Sequence, residues 1–315
     1  MSIPWYTAVV MQSGENNSFL QYYETNIRCH LKPKIGQMKI KDIKTMDIQR
    51  FINDTYANGA STALLRKLKN IVHSSLKQAV TNQMINRNVC EGVILPKHNQ
   101  KEVRALSREE ENNFLQAIEG DRLATAFKLD LVSGLRMGEL LALSWKNIDL
   151  EGGIIKVRAT LVRLKDRSPN AEKKNRYIVE NTTKTKSGRR QVPIPKAAVK
   201  MLEEHKSKQD EEKKTSKGIY EDDDLVFCTA LGNRFIPRNV ERSFVRLAKK
   251  AGIEGVNIHT ARHTYATRLF ENGVAAKTVS ELLGHKNVSH TLDVYTHVMP
   301  DTKSEAVKAL DYIFE

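Results

Sequence analysis

Apolar side chains recur at helical spacing along most of this 315-residue chain, and this periodicity limits the possible fold more than any other feature. The pattern changes after Asp149: residues 154–162 and 177–179 have the composition of strands, and residues 191–194 form a third apolar run. That third run contains Pro193, which a sheet accepts only at an edge. The sequence therefore predicts a mainly α fold with a small antiparallel β-sheet.

Two domains are predicted, because 315 residues suffice for two separate cores. Residues 1–96 form a predicted helical bundle, with an irregular lead-in at 1–14 and a last, short element ending near residue 88. Residues 97–106 are polar and basic, as in a linker. Residues 107–315 form the second domain, which begins with a capping box and ends with an amphipathic tail helix after Asp301.

The net charge of +14 and the sequence pI of about 9.6 favour a polyanionic partner. Basic residues are interspersed along the predicted bundle and on a later hairpin. Such charges occur on ordinary solvated surfaces, and they are also the charges that a surface binding DNA phosphates requires. The candidate DNA-binding residues are Lys32, Lys34, Lys39, Lys67, Lys69, Arg189 and Arg190.

Composition also bears on location. No run approaches the roughly 18 apolar residues of a membrane span, and the first ten residues lack the pattern of a secretion signal. Cys29, Cys90 and Cys228 are far apart and form neither a zinc pattern nor a paired framework. We therefore expect a soluble, cytoplasmic protein that does not contact a membrane.

Residues 259–295 gather side chains suited to phosphate chemistry. His259 and Arg262 lie three apart at a predicted helix start, so they point the same way. Gly284 ends the next segment and leaves His285 at its C-terminus, and Tyr295 follows ten residues later. Arginine grips phosphate, histidine moves protons and a positioned tyrosine can form a covalent intermediate. Together they indicate phosphoryl transfer onto a tyrosine.

A metal site is the main alternative for these histidines, since His259 and His263 have the spacing of a zinc pair. The glutamate of an H-E-x-x-H motif is missing, and the intervening Arg262 disfavours a nearby cation. Residues 222–224 are three adjacent aspartates, which fit a solvated turn better than a convergent carboxylate site. We expect no metal and no cofactor.

The pattern H-x-x-R, then L-G-H, then Y closely resembles the C-terminal signature of tyrosine recombinases, the phage and transposon integrase family. The family's first catalytic arginine lies in G-L-R-x-G-E, which matches Arg136 within residues 131–145. The run TKTKSGRR resembles the hairpin that carries the family's catalytic lysine, which indicates Lys184, with Lys186 as runner-up. Residues 15–90 and the run INRNV resemble the family's core-binding domain, although the family usually has proline where Val89 stands.

The resemblance implies a helical core-binding domain, an α+β catalytic domain and metal-free DNA cutting through a 3′-phosphotyrosyl link. It implies a homotetramer on double-stranded DNA with specific recombination sites, accessory excision or DNA-bending factors, and integration or excision of a mobile element. The tail helix would dock on a neighbouring subunit or on its own domain. The implied catalytic residues are Arg136, Lys184, His259, Arg262, His285 and the nucleophile Tyr295.

Two other classes of protein remain open. A DNA-binding regulator would keep the charge and the helices without needing the six catalytic residues together. A type IB topoisomerase would share the chemistry without assembling on specific sites. Many integrases also carry an N-terminal arm-binding domain, and the segment before Ser18 is too short for one. We therefore expect a simpler recombinase or a truncated start.

Overall fold

The computed structural model describes residues 23–97, 104–165, 175–181, 189–216, 218–285 and 287–295. The chain divides into two compact units, residues 1–101 with 163–176 and residues 102–162 with 177–315. The predicted tail helix, the lead-in at 1–14 and the hairpin turn near residue 187 lie outside the described residues. No helix in the described ranges is long and apolar enough to cross a membrane.

The first unit is helical. Residues 23–26 start a helical segment that continues as a π-helix, Ile27–Leu31, and as a short α-helical turn, Lys32–Lys34. The main helices are α1, Thr45–Ala57, and α2, Thr62–Thr81. Ser61 starts α2 by accepting a hydrogen bond of 3.2 Å from the Leu64 backbone N–H.

The core of the first unit lies between α1 and α2. Its fully buried members recur at the predicted helical spacing, and each contributes about 2 kcal/mol relative to exposure. They include Ile48, Ile52, Leu65, Leu68 and Leu76. The short element expected to end near residue 88 is a series of turns and bends over 82–92, so its prediction as part of the helical bundle is corrected. The Asn88 side chain stabilises these turns by donating to the His73 carbonyl at 3.0 Å.

The second unit contains most of the helices. The predicted capping box is confirmed: Ser107 accepts from the Glu110 backbone, and Glu110 accepts from the Ser107 backbone. The helices, in chain order, are α3, Arg108–Ala117; α4, Ala124–Ser133; α5, Met137–Leu141; α6, Lys196–Thr215; α7, Pro237–Lys250; α8, Ile258–Glu271; α9, Ala276–Leu283; and α10, Val288–Tyr295.

The strands form two small antiparallel sheets rather than one. β1, Ile148–Asp149, β2, Ile154–Val157, and β5, Arg190–Pro193, form a sheet in the order β1-β2-β5. β3, Ala159–Lys165, pairs with β4, Asn175–Asn181. The run predicted as one strand over 154–162 is therefore split. Pro193 lies on the edge strand, as predicted, and the mainly α fold with small antiparallel sheets is confirmed.

Contacts on two sides fix helix α8 in the second unit. On one side, the backbone N–H of Leu106 donates to Thr264 Oγ1 at 2.9 Å, and the Leu106 carbonyl accepts from Arg268 at 2.7 Å. On the other, Tyr265 and Phe270 pack with buried residues of α9. Because His259 and Arg262 lie in its first turns, these contacts fix the platform of the candidate site.

Candidate active site

Arg136 is positioned by a sharp turn between two helices. Gly134 ends α4 with φ of +57°, and a Cβ there would lie 2.3 Å from the Tyr265 ring of α8. Only glycine allows this backbone conformation and this close approach. Two residues later Arg136 is the N-cap of α5, and its Nη1 donates to Oε1 of Glu139 at 2.9 Å. The predicted helix thus begins directly after Arg136.

Arg262 lies in the interior, with 6% of the residue exposed. Its Nη1 donates to the Gly134 carbonyl at 2.6 Å, and its Nη2 donates to the Leu283 carbonyl at 2.7 Å. The same Nη2 lies 3.0 Å from Nε2 of His285. A buried arginine needs such partners, because an unpaired charge in the interior is costly. Arg262 therefore links the turn before Arg136 to the end of α9.

The C-terminus of α9 is the meeting point of the site. Gly284 ends the helix in the left-handed region with φ of +66°, and the His285 N–H closes the turn on Ser280. The last carbonyls of a helix lack partners within it and carry partial negative charge. Here three successive carbonyls each accept from a different arginine: Leu282 from Arg190 (2.6 Å), Leu283 from Arg262 (2.7 Å) and Gly284 from Arg136 (2.8 Å).

Glu139 is a buried carboxylate that the sequence analysis left without a role. It accepts from Arg136 Nη1 and the Arg136 backbone, and both of its oxygens also bind Arg190, at 3.0 and 2.8 Å. Burial alone would raise its pKa. The hydrogen bonds and charge of Arg190, together with Arg136, instead lower the pKa of Glu139 to about 2. Glu139 is thus a permanent anion between two arginines.

Asp130, on α4, is a second buried carboxyl that the sequence analysis missed. It is 1% exposed, and its Oδ1 has no hydrogen-bond partner among the residues that the structure describes. Burial raises the pKa of Asp130 well above its ordinary value, the charge of Arg262 opposes the rise and the charge of Glu139 adds to it. Burial thus favours the neutral form of Asp130, in contrast to Glu139, whose ionised form the two arginines favour.

His285 bridges α9 and α10. Its Nδ1 lies 2.7 Å from Oγ1 of the buried Thr291, and its Nε2 lies 3.0 Å from Arg262. His259 lies on the exposed side of the first turn of α8, where its backbone N–H donates to the N-cap Asn257. The structure brings Arg136, Arg262 and His285 into one hydrogen-bonded group.

Tyr295 is the last residue of α10, the helix that begins three residues after His285. Lys184 and the alternative Lys186 lie outside the described residues. No three His, Cys, Asp or Glu side chains in the described ranges are grouped so that they could hold a metal ion. The catalytic roles of all six residues stay predictions at this point.

The candidate DNA-binding residues fall into two groups. Lys32, Lys34, Lys39, Lys67 and Arg189 are exposed. Lys69 is half-buried and donates to the Val93 carbonyl at 2.6 Å. The side chain of Arg190 is 7% exposed, and each of its three nitrogens donates within the protein. These two residues thus already have partners that a local sequence pattern does not reveal.

Two arginines and a histidine thus meet at the end of α9 in a mainly helical fold, and the helix that follows, α10, ends in tyrosine. Comparison with known proteins identifies the class of enzyme that has this fold. The profile of the Phage integrase family matches residues 99–301, and that of the Phage integrase N-terminal SAM-like domain matches residues 16–56.

Two relatives align over nearly the whole chain. A tyrosine recombinase XerC-like protein of Caldanaerobacter subterraneus subsp. tengcongensis is 37% identical, over 98% of this chain and 81% of its own length. The ICEBs1 integrase of Bacillus subtilis is 27% identical, over 99% of this chain and 83% of its own length. The chain belongs to the phage integrase family, the tyrosine recombinases, which cleave and rejoin DNA strands.

Solved structures share the fold. The Tn1549 transposon integrase in complex with a circular intermediate DNA has a TM-score of 0.79 at 19% identity, covering 99% of this chain and 98% of that one. A lambda integrase tetramer bound to a Holliday junction has a TM-score of 0.67 at 19% identity, covering 95% and 77%. The fold extends through both units of the chain.

Proposed function

We propose that this protein recombines double-stranded DNA at specific sites through a 3′-phosphotyrosyl intermediate formed by Tyr295. The observation that carries this proposal is the convergence of Arg136 and Arg262 on the end of α9, directly before His285. Two guanidinium groups at one helix end suit a single phosphate, because each offers several N–H donors in a planar fork.

The carbonyls of Leu283 and Gly284 accept from Arg262 and Arg136 and hold these arginine donors in place, so little rearrangement is needed when an anion arrives. The side chain of Arg136 is 41% exposed, which allows a phosphate to reach it. Arg136 and Arg262 together clamp the non-bridging oxygens of the phosphate and stabilise the negative charge that builds on them during transfer.

Strand cleavage forms one P–O bond and breaks another. The phenol oxygen of Tyr295 attacks phosphorus and forms the new P–O bond, while the bond from phosphorus to the 5′ oxygen breaks. His259 takes the phenol proton, and Lys184 gives a proton to the leaving 5′ oxygen. His285 hydrogen-bonds a phosphate oxygen. The phosphotyrosine retains the energy of the broken bond, so a 5′-hydroxyl of another strand reverses the step and rejoins the DNA.

The same reasoning extends to partners. Two such exchanges recombine two duplexes through a four-way junction, which requires four active sites and favours a homotetramer. The likeness to a lambda integrase tetramer on a Holliday junction supports this assembly, and that to the ICEBs1 integrase supports integration or excision of a mobile element. We also propose that accessory excision or DNA-bending factors act together with this protein. The free thiols of Cys29, Cys90 and Cys228 fit action in a reducing cytoplasm.

The test is a trapping assay with a nicked or phosphorothiolate duplex in EDTA, read on denaturing gels. We expect a protein–DNA adduct with the wild-type chain and none with Tyr295→Phe, although both bind the duplex equally. An adduct that persists in Tyr295→Phe contradicts the assignment of the nucleophile. Binding without an adduct in the wild-type chain indicates a DNA-binding regulator instead.

A further inference from the structure

The C-terminus of α9 receives a third arginine that no step of the proposed reaction uses. Arg190 lies on the edge strand β5, opposite Val157 of β2. Its Nε donates to the Leu282 carbonyl at 2.6 Å, and its Nη1 and Nη2 bind the two oxygens of Glu139. With 7% of its side chain exposed, its fork of donors is already filled by the protein.

Glu139 has only Arg136 as its other charged hydrogen-bond partner in the described part of the chain. Without Arg190, the buried Glu139 carboxylate would keep Arg136 as its one charged partner among the described residues. The net attraction of Arg136 to Glu139 would be stronger, because the positive charge of Arg190 would no longer offset it. Arg136 would be drawn toward Glu139 and away from a phosphate. The Leu282 carbonyl would lose its donor at the same time.

We propose that Arg190 is a positioning residue for strand cleavage, which holds Glu139 and the end of α9 so that Arg136 meets the phosphate. This inference rests on the proposed function. It replaces the DNA contact predicted for Arg190 from the basic hairpin sequence. Arg190 is proposed to touch neither the phosphate nor the tyrosine. It neutralises Glu139, which also accepts from Arg136, and it binds the Leu282 carbonyl, two residues before the carbonyl that accepts from Arg136.

Arg122 provides a matched control at a distance from the site. Its Nε donates to the Cys228 carbonyl at 3.0 Å, and its Nη1 and Nη2 bind the two oxygens of Glu212 at 2.7 and 2.8 Å. This is the same set of contacts, one carbonyl and one two-pronged carboxylate, with none of the proposed catalytic residues among its partners. The Arg122 side chain is 38% exposed against 7% for Arg190, so Arg122→Met controls for the loss of these contacts and not for burial.

The experiment compares Arg190→Met, Arg190→Lys and Arg122→Met in single-turnover adduct formation on the trapping duplex, with the duplex Kd measured by anisotropy. We expect Arg190→Met to slow adduct formation by about 100-fold, as displacement of a catalytic group by about 1 Å does. The Kd and its salt dependence should stay unchanged. Arg122→Met should cleave at the wild-type rate once bound.

Arg190→Lys keeps the charge but cannot bind both carboxylate oxygens and the carbonyl together, so we expect slow cleavage in a folded protein even if the methionine variant does not fold. Adding Glu139→Gln to Arg190→Met should slow cleavage no further, because both changes act through the same pair. If the double variant instead slows cleavage by the product of the two single effects, the proposal is overturned.

Other outcomes also decide. A weaker Kd with a lower salt slope and normal cleavage at saturation would make Arg190 a DNA contact and overturn the proposal. Wild-type rates in both Arg190 variants would do the same. A wild-type chain that binds the duplex without forming an adduct contradicts the proposed function, and the inference falls with it.

Discussion

Nη2 of Arg262 lies 3.0 Å from Nε2 of His285, and the other ring nitrogen of His285, Nδ1, lies 2.7 Å from Oγ1 of Thr291. The imidazole ring is therefore held between a buried arginine of α8 and a buried hydroxyl of α10. Thr291 thus sets the orientation of the ring that contacts Arg262.

Replacing Thr291 should disturb the histidine without touching DNA. Thr291→Val removes the hydroxyl that contacts Nδ1 of His285, and losing one such hydrogen bond corresponds to about a tenfold slower adduct formation. Thr291→Ser keeps the hydroxyl and should stay close to wild type. Single-turnover trapping gives the rates, and ¹⁵N chemical shifts of the His285 ring report the tautomer. Equal rates for the valine and serine variants would show that the contact is irrelevant to cleavage.

Asp130 should make the protein less stable as pH rises. Its pKa is raised in the fold, so the folded state keeps a proton that the unfolded state releases above its ordinary pKa of about 3.9. Stability then falls by up to about 1.4 kcal/mol per pH unit between those two pKa values. Asp130→Asn removes this dependence. Urea denaturation at pH 4 and pH 7 should therefore show that the variant becomes more stable relative to the wild-type protein as pH rises.

Glu139 supplies a control of opposite sign. Its pKa is lowered to about 2, so its stabilising contribution is complete above the ordinary carboxylate range and is lost as pH falls toward 2. Glu139→Gln should therefore cost most at neutral pH and least in acid. If the stability changes caused by Asp130→Asn and Glu139→Gln vary in the same direction with pH, the raised pKa of Asp130 is contradicted.

Local sequence patterns predicted the helices and the proximity of Arg262, in H-x-x-R, to His285, in L-G-H. Helix caps, helix-ending glycines and apolar spacing act over only a few residues. Gly284 ended α9 as expected, and Arg262 and His285 came together. The partners of Arg190 were missed because Glu139 lies 51 positions away along the chain, and only packing brings them together. The split of residues 154–162 into β2 and β3 was missed for a related reason, since each half pairs with a different strand.

Lys34 should contribute to DNA binding through charge alone. It is exposed, and a lysine that meets a phosphate releases a counterion. Lys34→Ala should weaken binding on all sequences alike and reduce the slope of log K against log salt by about 1. Lys128→Ala is the control, because Lys128 pairs with Glu119 on the second unit at 2.6 Å. An unchanged slope for Lys34→Ala would remove Lys34 from the DNA surface.

Gly134 should tolerate no side chain, because it combines a left-handed backbone with contact to Tyr265. Gly134→Ala adds a strained φ to a clash at 2.3 Å, and overpacking of this kind costs about 1–3 kcal/mol beyond the backbone strain. Gly120 has φ of +77° and open space around its Cβ position, so Gly120→Ala carries the backbone strain alone. Urea denaturation should rank Gly134→Ala well below Gly120→Ala, and a reversed rank would contradict the role of the Tyr265 contact.

Thr264 joins the start of the second unit to the helix that carries Arg262. Its hydroxyl accepts from the buried backbone N–H of Leu106 at 2.9 Å and donates to the Thr260 carbonyl at 2.8 Å. Thr264→Val keeps the shape but leaves the Leu106 N–H without an acceptor, which costs about 1–3 kcal/mol. Thr264→Ser keeps both hydrogen bonds and loses one methyl group, which costs about 0.8 kcal/mol.

The two Thr264 variants are compared by urea denaturation, followed through Trp145 fluorescence in a Trp5→Phe background so that the second unit alone is reported. The valine variant should unfold at lower urea than the serine variant. Because the lost acceptor is two residues from Arg262, the valine variant should also form the adduct more slowly, whereas the serine variant should not. A valine variant as stable as serine would mean that water or another group replaces Thr264 as the acceptor for Leu106.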